Sequence, residues 1–204
     1  TEGSAFPIVL SAEPAVQRTV GPAFAAAFGT RFIYGTEPFL DRVIEGRSYR
    51  FRPVAIHHVS GEWTILLSVG SLADAGHSEI GINAVHYLRT ASKGWERAGE
   101  WLGIGAVGSV GNGATSWAFS TALGRNPYLI TAGGGVWQGC LLSTAVVTEL
   151  TTEGPVDRGS FTDAMSSGGG VGQKDASYDG QIIAAKPDKS FTVGYRGTRA
   201  LKQN

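Results

Sequence analysis

Cysteine is almost absent from this sequence: its one thiol, Cys140, cannot form a disulfide within the chain, so an oxidising compartment is permitted but supplies no staple. No Asn-x-Ser/Thr triplet occurs, which removes the usual acceptor of a glycosylated secreted protein. Charge is scarce and even, 17 basic against 17 acidic side chains, so no excess of one sign draws the chain to nucleic acid. Nor is there a run of ~18 apolar residues of the kind that crosses a membrane as a helix. These absences leave glycans, proteins and further copies of the chain as expected partners, with no nucleic acid, no membrane span and no cofactor.

What the chain does have is glycine, 30 of 204 residues, within a composition that is 42% hydrophobic. A chain of this length can bury roughly 70% of its unfolded surface, enough for a core without cross-links. Low charge with abundant Gly, Ser and Thr, and an opening at Thr1 rather than methionine, set the expectation of an exported protein, periplasmic or extracellular.

The periodicities predict a mainly β fold: antiparallel meanders in a sandwich or a propeller-like stack, preceded by short N-terminal helices. One β-rich domain, 1–204, is expected, with a helical segment over 1–46, a tandem meander over 47–165, a glycine-rich loop over 166–180, and a hairpin with a basic tail over 181–204. Val16, Val20, Phe24 and Phe28 recur every four residues, but Gly21-Pro22 interrupts them, so two short helices are predicted, Ser11 capping the first and Gly29 ending the second. Phe39, Leu40, Val43 and Ile44 make an apolar face for a third helix over 37–45. From Arg47 the period becomes two, as in Tyr49-Arg50-Phe51-Arg52. Strands are predicted at 47–52, 54–59, 63–69, 80–89, 95–102, 115–121, 128–132, 141–150, 181–185 and 190–195, the last two joined by the turn Lys186-Pro187-Asp188-Lys189.

A weak repeat lays Trp63–Gly70 on Tyr128–Gly135, Val85–Leu88 on Val147–Leu150, and Gly94–Trp101 on Gly154–Phe161, at offsets of 65, 62 and 60 residues. The closing segment gathers Lys186, Lys189, Arg196, Arg199 and Lys202 against Asp188, a solvated tail or a dock for an acidic partner.

Familiar catalytic motifs fail on inspection. Gly103-Ile-Gly-Ala-Val-Gly108 has dinucleotide-loop spacing, but Gly111 and Gly113 follow at once and no acidic residue occurs until Glu149. The glycine runs 133–135 and 168–170 lack the Gly-Lys-Ser/Thr ending of a phosphate loop. No nucleophile elbow, calcium loop or zinc helix is present, so no metal is expected. Cys140, opening an apolar strand, reads as a buried thiol. Adjacent His57 and His58 must point to opposite faces, and His86 reads as structural.

Two loops remain as candidates. Asp74, His77 and Glu79 gather two carboxylates and an imidazole, a set able to do acid/base work. Trp137-Gln138, framed by Gly135 and Gly139, offers an aromatic face and an orienting amide to a sugar or peptide. Trp63, Trp95 and Trp101 align with strand positions of the repeat and are expected in the core, whereas Trp117 and Trp137 have no counterpart. The expected ligand-binding set is therefore Trp137, Gln138, Trp117, Asp74 and His77, with both loops emerging at one end if the meanders lie side by side. The leading functional expectation is an exported binding module for a glycan or protein, able to self-assemble. The alternatives are a glycan or ester hydrolase using His77, Asp74 and Glu79, and a structural surface-layer subunit.

Overall fold

The computed structural model describes residues 5–31, 33, 35–59, 62–167 and 176–198. Among them the chain forms one helix, α1 (Gln17–Phe28), and eleven strands: β1 (Leu40–Ile44), β2 (Arg47–His58), β3 (Trp63–Leu72), β4 (Ile82–Ala91), β5 (Gly94–Leu102), β6 (Ser116–Ser120), β7 (Tyr128–Trp137), β8 (Cys140–Thr151), β9 (Gly154–Ser167), β10 (Ala176–Lys186) and β11 (Ser190–Thr198). They build two antiparallel sheets, β1-β2-β3-β4-β5 and β11-β10-β9-β8-β7-β6. The mainly β, sandwich-like arrangement agrees with the expectation from period-two patterning.

Each strand's alternation assigns its two faces. On the first sheet, Ile65, Leu67, Val85 and Tyr87 pack outward against Trp117, Leu129 and Leu150 of the second, making the layer between the sheets. The opposite face is concave: Phe51, Leu66, Ala84 and Leu88 close over Val20, Ala23, Phe24 and Ala27 of α1. The second sheet also curls, and its far face, with Ile130, Ala132, Val147 and Ile182, receives Phe6, Ile8 and Leu10 from the extended N-terminal segment. Ile8 N donates to Ile182 O at 3.0 Å, and Ser11 bridges to Trp117 of β6.

The helices differ from expectation. One helix runs through Gly21-Pro22, because burial of four apolar side chains outweighs the single i→i−4 bond that proline deletes. Ser11 caps nothing; it lies in a bridge to β6, and Val16 precedes the helix. Gly29, at φ 67°, ends it as predicted, donating to Ala25 O. The third helix is instead strand β1. Leu40, Arg42 and Ile44 face inward alternately, and Glu45-Gly46, at φ 50° and 79°, form a two-residue hairpin turn into β2. Val43, part of the supposed apolar helical face, points to solvent.

Strand β9, absent from the expected set, carries Pro155 and charged residues and has no clean alternation, so its sequence holds no local strand signal. It and β10 consume both ends of the expected 166–180 loop, whose centre, 168–175, lies outside the described residues, as do Arg199 and Lys202. The predicted 47–52 and 54–59 strands are one strand with a bulge at Pro53/Ala55. The Lys186–Lys189 turn forms as predicted, with Lys189 N bonded to Lys186 O. The offset of 60 residues that lays Gly94 on Gly154 also superposes two hairpin turns, Ala91-Ser92-Lys93-Gly94 and Thr151-Thr152-Glu153-Gly154.

The glycine-rich stretch from Gly103 to Gly113 joins the sheets and binds no dinucleotide-type helix, since β6 follows it. Fully buried Asn83 clamps it, donating to Ile104 O and Gly105 O and accepting from Ala114 N. Gly108 needs to be glycine: it sits at φ 124°, and a side chain there would meet Asn112 O at 2.0 Å.

Candidate functional site

The connector places the two candidate loops. Leu72 N donates to Gly111 O, Gly111 N to Glu79 O, and Gly81 N to Asn112 O, which anchors the β3–β4 loop on one side. On the other side, Ser109 Oγ donates to Gly134 O at 2.8 Å on β7, three residues before Trp137. The Asp74–Glu79 loop and the Trp137–Gln138 turn thus flank the same four residues, Ser109–Asn112.

Within the first loop the three candidate groups are not joined. Glu79 accepts from Gly76 N at 2.6 Å and pairs with Arg47, and these contacts hold its carboxyl below the usual range. It therefore acts as a loop clamp. Asp74 and His77 are exposed and share no hydrogen bond among the described residues.

The tryptophans sort differently from the prediction. Trp117 is only 7% exposed and belongs to the layer between the sheets, so it is removed from the ligand-binding set. Trp63, expected in the core, is 43% exposed. Cys140, expected buried, is exposed at the start of β8. Trp137 is 39% exposed, with its ring lying back over Gly135, while Gln138-Gly139 adopt the two positive-φ positions of a hairpin turn.

Trp137 is the corner of a larger surface. Cross-strand partners share a face, and the register Gly135↔Leu142↔Met165↔Tyr178 runs directly across β7, β8, β9 and β10. Trp137 lies two residues beyond Gly135, and Tyr195, partner of Gly180, two residues from the Tyr178 row. Trp137, Leu142, Met165, Tyr178 and Tyr195 therefore form one apolar strip, about 19 Å across at the usual strand spacing. It continues the face that packs on the first sheet, past the point where the connector stops covering it. Leu142 is 45% and Tyr195 55% exposed. Tyr178 and Tyr195 meet edge to face at 5.4 Å, and beside them opens an apolar groove of about 510 Å³ lined by Met165, Tyr178, Tyr195 and Gly197.

A polar cleft of about 790 Å³ occupies the other end of the second sheet. Buried Glu149 there accepts from Asn126 (2.6 Å) and Arg158 (2.7 Å), which together hold its carboxyl low against the opposing effect of burial. Arg125 donates to Asp188 through both its backbone N and its Nε. Both carboxylates are consumed by these bonds: Asp188 fastens the β10–β11 turn to the β6–β7 connection, and Glu149 ties β8 to that connection and to β9.

A charge network lies beneath α1, reaching from buried His86 to partly exposed arginines. Glu100 of β5 accepts two bonds from Arg42 of β1 at 2.8 Å and one from Arg97 at 3.3 Å, and stands 3.4 Å from His86 Nε2. Burial raises the Glu100 carboxyl, but Arg42 and His86 outweigh it and the net displacement is downward. His86 is fully buried against the Phe28 ring, and desolvation brings its imidazole down to about 4. Arg97 also reaches Ala27 O at the C-terminal end of α1. The network joins β1 to β5, the two edges of the first sheet, and so closes its curl around the helix.

Sequence reasoning reached Trp137 but not Leu142, Met165, Tyr178 or Tyr195, whose common face exists only through the register of strands that include the unpredicted β9. No group of three or more metal-ligating side chains occurs among the described residues. No family model matches the chain, and neither a curated protein nor a solved structure matches it.

Proposed function

We propose that this protein is a binding module, exported to the periplasm or the cell exterior, that takes a glycan or a protein ligand on the strip from Trp137 to Tyr195. The observation that carries the reading is five apolar side chains of neighbouring strands turned to one face, two of them more than 40% exposed, beside a groove. Among the described residues nothing packs over Leu142 or Tyr195, and an apolar patch of this kind marks a docking surface. Flat aromatic rings at low entropic cost suit either the C–H face of a sugar or an apolar peptide edge. The exposed turn residue Gln138 supplies an orienting amide at one corner. The same strip would serve self-association, one copy covering another.

The test is a screen of the purified protein on a printed glycan array and a displayed peptide library, with light scattering for self-association. Ligands found are then titrated against Trp137→Ala and Tyr195→Ala, both of which remove exposed rings. Loss of about tenfold or more in affinity, or of the oligomer, is expected. Binding that survives both substitutions, or the absence of any ligand and any oligomer, overturns the reading.

A further inference from the structure

The concave face of the first sheet is not filled to its end. Helix α1 presents Gly21, Pro22, Ala25 and Ala26 in its middle, all small. Beyond Pro22 and Ala26 a cleft of about 530 Å³ opens over the ends of β2–β5, within the range of about 300–1,000 Å³ typical of small-ligand sites.

Its lining is mixed in a specific way. The pairs His58↔Thr64 and Thr90↔Trp95 put an imidazole, two hydroxyls and an indole on the helix-facing side. Trp63, at the start of β3, alternates with Ile65 and Leu67 and turns its indole to the opposite face of the sheet, so Trp95 is the indole on the helix-facing side. His58 Nδ1 lies 3.0 Å from the Thr64 hydroxyl and its ring is nearly parallel to Trp95, at 24° with centroids 6.4 Å apart. The imidazole is thus held in one orientation and its Nε2 edge is left for another partner. The only charged side chain in the lining is Lys93, which has no ion-pair partner among the described residues.

We infer that this cleft binds a sugar ring carrying a carboxylate, as in a uronic acid glycan. The C–H face of the ring packs on Trp95, a ring hydroxyl bonds the Nε2 edge of His58, and the carboxylate meets Lys93. An apolar wall with one fixed hydrogen-bonding edge suits a pyranose, and a lone cation with no carboxylate in the lining selects for negative charge. The site is separate from the strip of the second sheet and does not depend on it.

The experiment is calorimetric titration of the intact protein with a panel of uronic acid trimers and with maltotriose as the neutral match. At least one uronic trimer is expected to bind about tenfold more tightly than maltotriose. Trp95→Leu, which removes the indole but keeps an apolar side chain against the helix, is expected to weaken that binding by about tenfold, and Lys93→Met to bring acidic and neutral trimers to parity. Trp137→Ala is expected to change neither. Lys93 sits in the exposed β4–β5 turn, and circular dichroism confirms that each variant is folded. The inference is overturned if no uronic trimer binds the parent protein, if maltotriose binds as well, if Trp95→Leu and Lys93→Met both bind normally, or if the binding disappears with Trp137→Ala instead.

Discussion

The two curled sheets solve the same problem with different plugs. The first closes around helix α1, the second around the extended segment Phe6–Leu10. A helix with its side chains is about 10 Å thick and fills a half-barrel in every direction. A single extended chain is thinner and fills it on one side only. Next to Ile8 and Leu10 a cavity of about 260 Å³ accordingly remains, walled partly by Asp163, Asp179 and Gln181. The polar groups differ in step with the packing. Under the helix, Glu100 is fully partnered and lies low; beside the extended plug, burial raises Asp163, with nearby Asp179 adding to the rise and only the Ser143 hydroxyl opposing it. Under the helix the charges meet in one network, although Ser68 Oγ and His86 Nδ1 are buried there without a partner among the described residues; beside the extended segment the Asp163 carboxyl keeps the Ser143 hydroxyl and borders the cavity.

Truncating the plugs measures that contrast most directly. Phe24→Ala, emptying the centre of the helix-filled half, is expected to cost about 3–5 kcal/mol in denaturant unfolding. Ile8→Ala in the other half is expected to cost about 2 kcal/mol, the low end for its type, because a cavity already adjoins it and the neighbours can relax. Equal losses would mean that both halves are packed alike. Glu100→Gln, which strands Arg42, Arg97 and His86, is expected to cost about 2 kcal/mol, less than a fully buried pair because Arg42 and Arg97 are partly exposed. Asp163→Asn is expected to change stability at neutral pH by under about 0.5 kcal/mol, in the stabilising direction.

Acidification separates the halves by sign. His86 titrates near 6.5 when unfolded and at about 4 when folded, so on lowering the pH the unfolded chain takes up the proton first. Its contribution therefore falls from pH 6.5 to about 4, at most about 1.4 kcal/mol per pH unit. Asp163 is raised by folding, so its contribution grows as the pH drops through its folded value. Unfolding midpoints followed across this range should lose their decline between 6.5 and 4 in His86→Leu and keep it in Asp163→Asn. A decline that persists unchanged in His86→Leu removes the histidine from the account.

The second half was harder to read than the first, for a local reason. Strands such as Trp63–Leu72 carry apolar runs between clear turns, and their existence was legible. Strand β9 has polar and charged residues at most positions and holds its place through neighbours on both sides, which no local pattern reveals. The Val43-Ile44 pair satisfied a helical spacing, yet the Glu45-Gly46 turn and the pairing of β1 with β2 decided for a strand. Trp137 could be singled out because glycines frame it in sequence. Trp117 carried no signal distinguishing a buried indole from a binding one, since its burial comes from Leu129 and Tyr87 on other strands. Glu100 stands opposite His86 in the β4–β5 ladder, but Arg42 on the other edge strand reaches it only because the sheet curls, and the spacing along the chain says nothing of it.

The path of the backbone carries a consequence for biosynthesis. Residues 6–11 leave the ribosome ahead of both sheets, yet their seats on β6 and β10 are made by residues 117 and 182. The segment must wait until those strands have been synthesised, and contacts of such long sequence separation make for slow, late closure. Severing the chain at the 103–113 link would strand each half: the amino-terminal piece would carry an apolar ribbon with nowhere to lie, and the carboxyl-terminal piece would have an empty trough. Neither fragment is equipped to mature without the other.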